Sequence, residues 1–179
     1  MTTAEFLKSR YGQPKKFDTP CGISLFIDRK KNIVMTIYHA HAEYGFGIDI
    51  GDYIELPYPF TLEEVGSRVL EGYRTRVDMP LVTDEVRKSS KATYEILTNG
   101  KGFLHWLRRH ECIEVRIQKE QIIVEYEHRA DTGDDRGYSR HREEYNETEI
   151  ILPPDASASE LGAAINQVYF TRNDFGLVP

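Results

Sequence analysis

Apolar and polar residues alternate along some stretches of the chain and cycle with a helical period along others. Ile113-Glu-Val-Arg-Ile117 places Ile113, Val115 and Ile117 on one face and charges on the other. That period of two is the mark of a strand in an antiparallel sheet with one face buried. Gln121-Ile-Ile-Val-Glu-Tyr126 follows after Lys119-Glu120, so the two runs read as a hairpin. Ile23-Ser-Leu-Phe-Ile-Asp28 and Asn32-Ile-Val-Met-Thr-Ile-Tyr38, around Arg29-Lys-Lys31, predict the same shape earlier in the chain.

After each hairpin comes a short apolar strand closed by Leu-Pro, at Leu56-Pro57 and Leu152-Pro153. Proline cannot donate to a sheet ladder, so it ends the strand. Thr61 and Ser157 then stand three residues before Glu64 and Glu160, the spacing of a capping box. Leu62, Val65, Val69 and Tyr73 continue at helical spacing, as do Leu161, Ile165 and Val168. The two copies superpose with an offset of 96, Leu56–Asp78 on Leu152–Asp174. Identities are Leu56/Leu152, Pro57/Pro153, Glu64/Glu160, Gly66/Gly162, Tyr73/Tyr169, Thr75/Thr171, Arg76/Arg172 and Asp78/Asp174. Composition alone would give roughly one or two such matches, so the chain carries an internal repeat.

The expected fold is therefore α/β (α+β): a mainly antiparallel sheet with helices on one face, built from two related β-β-β-α halves at roughly 20–78 and 110–174. One domain over residues 1–179 is expected. Gly66 and Gly162 lie one turn inside their helices, where glycine costs about 1 kcal/mol against alanine; close packing on the sheet is the expected reason. Between the halves, Thr83-Asp-Glu85 starts a helix running at least to Lys91. Ala92–Leu97 reads equally as helix or strand, and Gly100-Lys-Gly102 breaks the chain. Phe103, Trp106 and Leu107 then mark a short amphipathic helix. His128–Glu149, with seven acidic residues and four arginines, reads as a long solvated connection.

Charge and cysteine content narrow the class. Twenty-three Lys and Arg against 29 Asp and Glu give a formal net charge of −6. An acidic chain argues against nucleic-acid binding, which favours a basic stripe or patch, and suits a basic partner. Two cysteines, Cys21 and Cys112, make no disulfide framework. No apolar run approaches the ~20 residues of a membrane span, and the first ten residues mix charges where a secretory signal would be apolar. A soluble cytoplasmic protein is expected, with no membrane contact.

Two constellations have catalytic potential. His39-Ala-His41 puts two imidazoles on one strand face, with Glu43 and Asp49 near in sequence. Such a pair is able to ligate a metal, although polar residues exposed at a strand end are the more frequent explanation. Cys112 with His105 and His110 offers a nucleophile and bases, but Cys112 fits better as a small buried residue at a strand start. Gly45-Phe-Gly47 and Gly51 lack the order and following helix of a phosphate cradle. No cofactor is expected.

Gly45-Phe-Gly47 followed by Thr61-Leu-Glu-Glu-Val-Gly-Ser-Arg-Val-Leu70 resembles the N-terminal half of the contact-dependent growth inhibition immunity proteins. Gly102-Phe-Leu-His-Trp-Leu-Arg-Arg-His-Glu-Cys112, its hairpin, and Ile150–Ile165 are similar to their C-terminal half. The resemblance runs in order from about Phe26 to Phe170, with Met79–Asn99 departing from it. It implies a bacterial cytoplasmic protein, not an enzyme, that neutralises a cognate toxin domain, often a nuclease, the C-terminal part of a large secreted protein. In some such pairs a toxin hairpin adds strands to the immunity protein's sheet. Because nuclease toxins carry basic surfaces, Asp131, Asp134, Asp135, Glu143, Glu144 and Glu147 are the expected toxin contacts. Two rival readings stand beside this one: a small metal-dependent hydrolase using His39 and His41, and an orphan immunity-like protein without a toxin.

Overall fold

The computed structural model describes residues 22–43, 47–77, 81–118, 120–130, 137–139 and 149–178. Strands β1 (Ile23–Asp28), β2 (Ile33–Ala40) and β3 (Gly47–Leu56) precede helix α1 (Leu62–Val77). Short helices α2 (Asp84–Ser89), α3 (Thr93–Leu97) and α4 (Phe103–Leu107) follow. The second half holds β4 (His110–Ile117), β5 (Ile122–Ala130), β6 (Gly137–Ser139), β7 (Glu149–Leu152) and helix α5 (Ala158–Asn173).

The sheet order is β3-β2-β1-β4-β5, with β6 and β7 both pairing with β5. Every pairing between these strands is antiparallel. Each half is a β-β-β meander followed by a helix, and the halves join through their first strands, where Leu25 lies opposite Ile113. Both capping boxes form. The Thr61 N–H donates to Glu64 (2.6 Å) and the Glu64 N–H to the Thr61 hydroxyl (3.1 Å). Ser157 and Glu160 repeat the exchange at 2.7 and 3.3 Å.

Helices α1 and α5 lie side by side on one face of the sheet. Val65, Val69, Leu161, Ile165 and Val168 meet Leu25, Ile27, Met35, Ile113, Val115 and Val124 there, all buried. Burying each such side chain contributes about 1.5–3 kcal/mol. The glycines inside the helices do something other than approach the sheet. A Cβ on Gly66 would fall 1.9 Å from the Ala158 carbonyl oxygen, and one on Gly162 1.8 Å from that of Leu62. The glycines therefore seat helix backbone on helix backbone, and the contact is reciprocal because Leu62 and Ala158 are themselves repeat equivalents.

The opposite face is not simply open to solvent, as the alternation in β4 had implied. Segment 81–107 folds over part of it, and Phe26, Trp106 and Cys112 form a second buried cluster with Phe103, Tyr94 and Leu97 against it. Phe26 meets the Trp106 ring edge-on at 5.4 Å. Residues 93–97 are helical, and the helix from Thr83 stops at Ser89, short of Lys91. Asp49 on β3 anchors α3: it accepts the Thr93 N–H (2.8 Å) and hydroxyl (2.9 Å), and also the Gly51 N–H (2.9 Å). Within the expected connection 128–149, β5 runs on to Ala130 and pairs with β6.

Candidate functional site

His39 and His41 are buried, at 2% and 3% exposure, and do not sit exposed at a strand end. The chain returning from α1 lays Val82 beside His41 as a parallel bridge. Ala42 N–H donates to the Val82 carbonyl (2.8 Å), and Val82 N–H to that of Ala40 (3.0 Å). The His39 Nε2 lies 2.7 Å from an Asp52 carboxylate oxygen. The His41 Nδ1 accepts the Glu43 N–H (3.2 Å), which leaves its proton on Nε2, facing Asp84 at 3.5 Å. Each imidazole thus has its own carboxylate on a different element. Among the described residues no three His, Cys, Asp or Glu side chains are placed to hold a metal ion.

The second constellation is also engaged locally. Cys112 is fully buried, as its place at a strand start predicted, and its thiol points at Glu127 (3.5 Å). Burial, and then the carboxylates of Glu127 and Glu114, push that thiol well above its ordinary value, the reverse of an activated nucleophile. The His110 ring stacks on Trp106 at 3.8 Å, and its Nδ1 lies 2.9 Å from the Trp106 carbonyl. Burial lowers the His110 pKa, so the ring is neutral at pH 7.

The strand register assembles something not legible in any single segment. On the face away from α1 and α5, Tyr53, Thr36, Ser24, Glu114, Glu125 and Glu149 lie opposite one another across six strands. This polar row crosses the whole sheet. Glu114 and Glu125 are buried within it, at 6% and 7% exposure. Like charges directly opposite disfavour a sheet, and Arg116 offsets this by donating to Glu125 at 2.5 Å. Beside the row, Tyr38 is driven upward in pKa by burial and then by Cys112 and Asp49. Alternation marked Glu114 as lying off the core face, but only strand pairing sets it against Glu125. The six residues expected to contact a toxin, Asp131, Asp134, Asp135, Glu143, Glu144 and Glu147, lie outside the described residues.

No family model matches this sequence, and no curated protein matches it. Solved structures that share its architecture include the following two. One is a chain of the CdiA-CT/CdiI toxin and immunity complex from Yersinia pseudotuberculosis, with a TM-score of 0.58 at 11% identity, covering 88% of this chain and 99% of that one. The other is a protein of unknown function from Neisseria meningitidis, with a TM-score of 0.57 at 14% identity and the same two coverages. At such identities the likeness is one of fold alone. No helix among the described residues is long and apolar enough to cross a membrane.

Proposed function

We propose that this protein is an immunity protein that binds and neutralises a cognate contact-dependent growth inhibition toxin domain, a nuclease, in the bacterial cytoplasm. The observation that carries the reading is a fold shared over 88% of the chain with a component of a toxin and immunity complex. The action is stoichiometric binding without catalysis. Support for this comes from the candidate catalytic groups themselves: His39, His41 and Cys112 are buried and occupied by local partners. A net charge of −6 gives a basic nuclease surface a complementary field, which raises association rate and discriminates against wrong partners.

The test is co-expression with the C-terminal domain of the large secreted protein encoded immediately upstream. Restored growth and a one-to-one complex on size exclusion are the expected results. A toxin domain that still kills in the presence of folded, abundant protein, with no complex formed, overturns the reading.

A further inference from the structure

A basic cleft opens at one end of the sheet, in a chain whose net charge is −6. The β1–β4 pairing ends with Asp28 opposite His110. That register brings the β1–β2 turn beside the residues that follow α4. Arg29, Lys30, Arg108 and Arg109 line one cavity of about 620 Å³ together with Asp28, Asn32 and His110. All four cations are exposed, and none makes an ion pair with another described residue.

The carboxylates nearby are already committed. Asp28 accepts the backbone N–H groups of Lys30 (2.8 Å) and Asn32 (2.9 Å) and the Asn32 side-chain amide (3.0 Å). It shapes the turn and makes no ion pair with the guanidinium groups of the cleft. Glu111, on the adjoining cavity, accepts the Tyr126 hydroxyl. Lys31, by contrast, is tied down: its Nζ donates to the Gly176 carbonyl (2.8 Å) and lies over the Tyr58 and Phe175 rings. Four cations thus converge on a concave surface whose one carboxylate, Asp28, is held by the β1–β2 turn, which leaves an excess of positive charge among the described residues.

We infer that this cleft binds an acidic segment of a partner protein, its carboxylates paired with Arg29, Lys30, Arg108 and Arg109. The inference stands apart from the immunity reading, since it concerns the chemistry of one surface. Guanidinium groups suit carboxylates through two parallel N–H donors. Nucleic acid is a poorer fit. Single strands stack their bases on aromatic faces along a basic groove; His110 is the one ring lining this cavity, and in the adjoining one Tyr169 is buried while Phe175 already meets Tyr169 and Lys31. His110 itself already stacks on Trp106. The adjoining cavity, which shares Asp28, Arg29, Arg108 and Arg109, is walled by Ile27, Tyr169 and Phe175. Of these only Phe175 is exposed, and it gives an acidic peptide an apolar contact next to the charge.

The test uses the full chain and a fluorescein-labelled hexaglutamate peptide, followed by anisotropy at about 50 and 300 mM salt, where screening differs strongly. Binding at the lower salt is expected to weaken about tenfold or more, some 1.4 kcal/mol, in the Arg108→Glu/Arg109→Glu variant. Arg29→Glu/Lys30→Glu should do the same. Lys88→Glu/Lys91→Glu, an equal change in net charge away from the cleft, should leave it within about twofold. All six positions are exposed, and circular dichroism confirms that each variant is folded. The inference is overturned if hexaglutamate fails to bind at the lower salt, or if the control variant weakens it as much. It is also overturned if labelled hexathymidylate binds as tightly and responds to the same reversals, which would make the occupant a nucleic acid.

Discussion

Replacing Gly66 by alanine tests the helix-on-helix contact that the repeat builds. The new Cβ would stand 1.9 Å from the Ala158 carbonyl oxygen and 2.7 Å from its carbon. Ordinary contact begins near 3.4 Å, so α1 and α5 must part by about 1 Å or more, loosening the apolar layer beneath them. Overpacking of this kind costs about 1–3 kcal/mol. The upper end applies here because the obstructing atoms are helix backbone and have no rotamer to change. Alanine returns about 1 kcal/mol in helix propensity, leaving a net loss of about 2 kcal/mol. Urea unfolding, followed by circular dichroism and the emission of the single tryptophan, should show a midpoint lower by about 1 M. Gly72→Ala on the same helix is the control. Its Cβ would meet Ile23 and Ile37 at an unstrained 3.4 Å, so stability should hold or rise by up to about 1 kcal/mol. Combining Gly66→Ala with Gly162→Ala should cost less than the sum, because helices already separated admit the second methyl. If Gly66→Ala is as stable as the parent, the reciprocal-glycine account is wrong.

Two further predictions concern anchoring and pH. Asp49→Ala strands the buried Thr93 hydroxyl and N–H, and should cost about 1–2 kcal/mol, with faster amide exchange confined to α3 and its flanks. The Glu64 and Glu160 carboxylates are held below their usual 4.5, chiefly by the cap backbone N–H groups and then by the cap hydroxyls. The stability they add is therefore full above about pH 4.5 and is lost as pH falls through their lowered values. The stability gap between the parent and Glu64→Gln/Glu160→Gln should be open at neutral pH and close in acid; a gap unchanged down to pH 2 or so refutes the capping role.

The polar row is a product of strand pairing on the face away from α1 and α5. Its residues come from six strands, so a change in any one strand alters the pattern without touching the helix-packed core. The basic cleft lies at one end of the sheet, on the β1–β2 turn and the residues that follow α4.

What the sequence determined by itself is what short-range physics controls. Leu-Pro at residues 56–57 and 152–153 ended strands because proline lacks an N–H. Thr61 and Ser157 started helices because a side-chain oxygen three residues from a glutamate satisfies unpaired backbone donors. Apolar spacing named the buried faces of α1, α5 and β4, and self-comparison paired the halves. The stretch 92–97 stayed ambiguous because its fate rests on Asp49, 44 residues away, accepting from Thr93. His39 and His41 looked exposed because nothing local signals that Val82 will fold back beside them. The glycines' neighbour was equally hidden: periodicity shows which face of a helix is apolar but not whether a second helix or a sheet lies against its small residues. Above all, register decided the chemistry of the surface. Antiparallel pairing of β1 with β4 set Ser24 against Glu114 and carried Arg29 and Lys30 to Arg108 and Arg109. Contacts between residues so distant in the chain depend on the packing of the whole sheet, and only the tertiary structure supplies them.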